Sequence, residues 1–116
     1  MEMVLATLTE QRDLKLEVVG SLSLASAADL REQFDELARR GLASVEIDCA
    51  RAEVITSVGL SALASVWERA QGAGVPVRFS NVSPDLLKLF GITGLREIFF
   101  PATIRRPGAP RPGEGR

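Results

Sequence analysis

Val54-Ile55-Thr56-Ser57-Val58-Gly59-Leu60 is a junction between two periodicities. Upstream, Val45-Glu46-Ile47-Asp48-Cys49 reads as a core strand, and Val54-Ile55 as a short apolar stretch after a connection. Downstream, Leu60, Leu63, Ala64, Trp67 and Ala70 recur at helical spacing, which predicts a helix from Ser57 to about Gln71 that stops at Gly72 or Gly74. Thr56 and Ser57 therefore stand at the mouth of a helix, beside its unpaired N–H groups. A hydroxyl there serves as a helix cap, an anion contact or a phosphoacceptor. No Glu, Asp or Gln follows three residues after either, so the reciprocal capping box is absent.

Working outward, Val4 to Thr9 and Leu14 to Val19 read as strands joined by the short polar connection Gln11-Arg12-Asp13. Gly20 to Ala25 is rich in small residues and reads as a loop. Ser26-Ala27-Ala28-Asp29 has the spacing of a capping box, followed by a helix with Leu30, Phe34 and Leu37 on one face and a stop at Gly41. Pro76 to Ser80 is a strand with proline near its start. Ser83-Pro84-Asp85 is a helix start, with Gly91 as its end. Gly94 to Arg96 reads as a turn or a further helical turn, and Ile98-Phe99-Phe100 as a final strand. The order β-β-α-β-α-β-α-β predicts an α/β sandwich: a mixed sheet of four to five strands with helices mainly on one face.

The chain has 116 residues, 46% of them hydrophobic, enough for one globular domain. Its net charge is −1, which gives no reason to expect nucleic acid or a membrane surface as partner. Residues 105–116 hold four arginines and one glutamate, so the last twelve residues carry +3 and residues 1–104 carry −4. Half of this segment is Gly or Pro, and a disordered tail is expected. With no histidine and one cysteine, metal sites built on His or paired Cys, intramolecular disulfides and His-based triads are excluded. Cys49 reads as a small buried residue. Neither dinucleotide nor P-loop glycine patterns occur, so no catalytic residue, cofactor or metal is assigned. The start Met1-Glu2-Met3 lacks the pattern of a signal peptide, and no apolar run spans a bilayer; a soluble cytoplasmic protein is expected.

Asp48, then Val54-Ile55, then hydroxyl-Ser57-small-Gly59-Leu60 and a helix resembles the signature of the STAS domain, and more narrowly of the bacterial anti-sigma factor antagonists. Gly20-x-Leu22-x-x-x-Ser26, the Val75 to Phe79 strand and Ser83-Pro84 running into Leu89-Phe90-Gly91-Ile92-Thr93-Gly94-Leu95 extend the likeness over residues 4–101, within a domain expected at 1–104. The resemblance implies a partner switch. The unmodified protein binds an anti-sigma factor that is also an ATP-dependent serine kinase of histidine-kinase-like fold. Phosphorylation of the serine at the helix start releases it, and a phosphatase resets it. Carried onto this chain, the acceptor is Ser57, with Thr56 the alternative, and Ser21, Ser23, Thr56, Ser57, Val58 and Ser61 form the partner surface. Thr56 and Ser23 stand where many members carry acids, and Val58 where serine or alanine is usual.

Two alternatives share the fold. One is a constitutive, unphosphorylated binder. The other is an accessory subunit of a membrane ABC transporter of lipid or anion, in which a Thr-containing version of the same loop contacts the ATPase.

Overall fold

The computed structural model describes residues 2–99. In chain order these form β1 (Met3–Leu8), β2 (Asp13–Leu22), α1 (Leu24–Ala38), β3 (Ser44–Ile55), α2 (Ser57–Gly72), β4 (Val77–Ser80), α3 (Pro84–Thr93) and α4 (Leu95–Phe99). The strands make one mixed sheet in the order β1-β2-β3-β4, antiparallel in the first pair and parallel in the next two. Parallel neighbours require a crossover, here supplied by α1 and α2. Both crossovers step across the sheet in the same direction, so they lie on the same face and pack on each other.

Alternation along the strands sorts the two faces. Ala6, Leu16, Ile47 and Phe79 form one cross-strand row, and Leu8, Leu14, Val45 and Val77 the next. Leu14, Leu16, Val18, Val45 and Ile47 are buried beneath Leu30 and Phe34 of α1 and Ala62, Leu63, Val66 and Ala70 of α2. The other face carries Thr7, Lys15, Glu46 and Arg78 in one row and Glu17, Asp48 and Ser80 in the next. Its charges are paired: Arg78 with Glu46 (2.8 Å), Lys15 with Asp48 (3.3 Å) and Arg51 with Glu17 (3.6 Å). One apolar and one polar face is the pattern of a sheet covered on a single side.

Five expectations need correction. β2 does not stop at Val19. Register shifts after Glu17 and Gly20 let its ladder with β3 continue to Leu22↔Ile55, where a loop was expected. The N-cap of α1 is Ser23 rather than Ser26, which is buried in the first turn and takes the Ser23 N–H on its Oγ (2.9 Å). Val54-Ile55 is the end of an unbroken β3, not a separate stretch. Ile98-Phe99 belongs to helix α4 instead of a strand. Gly91 fails to end α3, which runs to the left-handed Gly94 (φ 81), and the chain then re-enters a helix. The spacing of Leu95 and Phe99 is one helical turn, which seats Phe99 against Phe79 (4.3 Å, stacked) and Phe90 (5.3 Å, edge-on). Phe100 and the 105–116 segment lie outside the described residues.

Candidate functional site

β2 and β3 end side by side, and the first turn of α2 is fastened there. The Thr56 N–H and its Oγ1 both donate to the Leu22 carbonyl, at 3.1 and 2.9 Å. The same Oγ1 accepts the N–H of Gly59 (3.1 Å), which makes Thr56 the N-cap of α2. Its hydroxyl is thus used both as donor and as acceptor. Gly59 completes the junction: a Cβ at this position would strike the Leu22 carbonyl oxygen and side chain, so only glycine lets the helix come this close.

Ser57, the first helical residue, is exposed, and its hydroxyl has no hydrogen-bond partner among the described residues. Ser61 lies one turn further on the same face and is also exposed. Val58 is 37% exposed, and Leu24 and Val54 flank the region at 72% and 56%. These three add exposed apolar surface to this end of the domain.

The β2–α1 turn lies beside this surface because Leu22 holds Thr56. Ser21 is half-buried, and its carbonyl accepts from Ser26 Oγ (2.9 Å). Ser23 Oγ donates to Glu2 Oε1 at 2.6 Å, and Ser26 Oγ lies 3.2 Å from the same oxygen. All six predicted surface residues therefore gather at one end of the sheet. Sequence reading missed Glu2, which brings a carboxylate to that end. Its signal lay in the hairpin register: pairing Met3 with Val19 puts Glu2 level with Gly20, near the end of β2.

Asp48 sits within β3, not at a strand end. Its carboxylate accepts from Asn81 Nδ2 (2.9 Å) and the Ala50 N–H (3.0 Å) and pairs with Lys15. These bonds, the one from Asn81 foremost, hold its pKa below the usual value despite burial. Glu46 is lowered chiefly by its bond from Ser80 Oγ (2.6 Å) and then by Arg78. Burial pushes the Cys49 thiol up to about 12, so it is inert as a nucleophile at neutral pH. No His, Cys, Asp or Glu cluster among the described residues could hold a metal ion, and no described helix is long and apolar enough to cross a membrane.

A strand–cap–helix junction with one hydroxyl spent and its neighbour free is thus the most distinctive feature of this surface. The family model described as "Mlab, STAS domain" matches residues 6–101. The chain belongs to the STAS domain family. The anti-sigma-B factor antagonist of Bacillus subtilis strain 168 is 30% identical over 88 residues, 76% of this chain and 80% of that relative. Among solved structures, an anti-sigma factor antagonist from Mycobacterium paratuberculosis aligns with TM-score 0.71 at 21% identity, covering 86% of this chain and 84% of that one. The Bacillus cell fate determinant SpoIIAA in its phosphorylated form aligns with TM-score 0.68 at 15% identity, covering 79% and 84%. At those identities the two structures establish the STAS fold alone. In that fold, the mixed sheet with its helices on one face carries the Thr56–Ser57 junction at the ends of its parallel strands.

Proposed function

We propose that this STAS domain is an anti-sigma factor antagonist that docks through the start of α2 and the β2–α1 turn, and that phosphorylation of Ser57 controls the docking. It acts by binding rather than by catalysis, in the cytoplasm. Its partner is an anti-sigma factor that doubles as an ATP-dependent serine kinase, and a phosphatase restores the unmodified state. The observation that carries the reading is the contrast between two adjacent hydroxyls. Thr56 Oγ1 is committed to Leu22 and Gly59, whereas Ser57 is exposed and unbonded among the described residues. Ser57 is therefore the acceptor in preference to Thr56.

A phosphate adds about −1.5 to −2 charges. At the first residue of a helix it meets free N–H groups and the positive end of the dipole, so the fold tolerates it. A partner packed on Val58, Leu24 and Val54 would have to desolvate that charge, which opposes docking. The relationship to the Bacillus antagonist supports this reading over an accessory subunit of an ABC transporter.

The test is peptide mass spectrometry of the protein and its Ser57→Ala variant from native cells, with affinity capture of what each binds. Phosphate on Ser57 and capture of a kinase-fold ATPase by the unphosphorylated form are expected. Phosphate on Thr56 alone would move the acceptor. An ABC ATPase in place of the kinase would overturn the antagonist reading.

A further inference from the structure

Strand β3 outruns its neighbour. Its ladder with β2 continues to Leu22↔Ile55, but its ladder with β4 stops at Asp48↔Ser80. Among the described residues, the β4-side edge of Arg51–Ile55 therefore has no strand beside it. After Ser80 the chain turns away through Asn81 (φ 54), tied to Asp48, and α3 begins at Pro84. A helix instead of a strand stands across from the open edge.

Between the two lies a cleft of ≈ 340 Å³. Val54, Leu86 and Leu89 give it an apolar lining; Glu53 and Asp85, both exposed, add two carboxylates, and among the described residues no cation lines it. An edge with free N–H and C=O groups next to exposed apolar surface is what proteins ordinarily cover. The sheet's other edge is partly covered: on β1 the Val4 carbonyl accepts from Gln33 Nε2 (2.8 Å).

We infer that the edge Arg51–Ile55 and its cleft receive an extended segment of the partner protein, added as a strand beside β3. Main-chain bonds to the edge hold it. Alternate apolar side chains rest on Val54, Leu86 and Leu89, and a lysine or arginine meets Glu53 and Asp85. The edge runs directly into Thr56 and Ser57, so one partner reaches both the cleft and the free hydroxyl. This deepens the antagonist reading and rests on it.

Hydrogen exchange on the full chain, alone and with the purified anti-sigma factor, tests it. Bound partner should slow exchange of those 51–55 amides that point away from β2 about tenfold or more, because strand addition satisfies their hydrogen bonds. The double variant Glu53→Lys/Asp85→Lys should keep the melting temperature and lose about tenfold in affinity. A complex that leaves 51–55 exchanging as in the free chain overturns the inference while sparing the antagonist reading. So does an unchanged affinity of the double variant. Protection already present in the free chain, and abolished by Arg105→Glu/Arg106→Glu, also overturns it, because the chain's own basic segment then fills the cleft. No complex at all defeats the antagonist reading and the inference together.

Discussion

Thr56 and Leu22, 34 residues apart, meet at one carbonyl oxygen that takes both the Thr56 hydroxyl and the Thr56 N–H. Leu22 ends β2 and Thr56 caps α2, so this residue pair, with Gly59 packed close behind it, sets the helix start against the sheet. Thr56→Val keeps the shape and the N–H bond to Leu22 but removes both the cap and the hydroxyl bond to Leu22. It should cost about 1–2 kcal/mol in urea unfolding, with Thr56→Ser restoring most of it. Aspartate at this position could still accept from Gly59, but its carboxylate would face the Leu22 carbonyl with no proton to donate; Thr56→Asp should therefore be no more stable than Thr56→Val.

Gly59→Ala forces a methyl into the Leu22 backbone oxygen, which has no free rotation with which to yield. A loss of about 1–3 kcal/mol is expected. For a domain of this size each kcal/mol lowers the melting temperature by roughly 4–8 °C. Gly72→Ala is the control: nothing lies within 4 Å of a Cβ there, so its melting curve should hold or rise.

Acid should weaken the polar sheet face first. Asp48 and Glu46 both have folded pKa values below their ordinary 3.8 and 4.5. Their contribution is complete above those ordinary values and is lost as pH falls toward and through the lowered ones. Stability measured by urea unfolding should therefore decline from about pH 5 downward. Asp48→Asn should be less stable at pH 7, through loss of the Lys15 pair, and show a shallower decline in acid.

Much of the fold was legible because the first halves of β2 and β3 alternate where they pack against the helices. Leu14, Leu16 and Val18 read as one face and are one face, and Leu30 and Phe34 meet them from α1. The α2 start was legible for the same reason: two hydroxyls at a change of period. The misreadings share a cause in tertiary contact. Ser21 and Leu22 look like loop residues, but β3 runs alongside and its ladder extends the strand. Ile98 and Phe99 look like a strand in isolation, yet the ring contacts of Phe99 with Phe79 and Phe90 favour a helical turn. The division of roles between Thr56 and Ser57 was beyond local pattern, since it depends on the Leu22 carbonyl far away in sequence.

Ser57 stands outside everything that holds the domain together: the cap belongs to Thr56, and the core lies behind Gly59 and Leu60. A group attached to its oxygen leaves the unfolding equilibrium nearly untouched. Modified and unmodified copies should then resist proteases equally and persist equally long in the cell. Under the proposed switch the message would be carried by occupancy rather than by abundance, and one polypeptide would be written, erased and written again without being made anew.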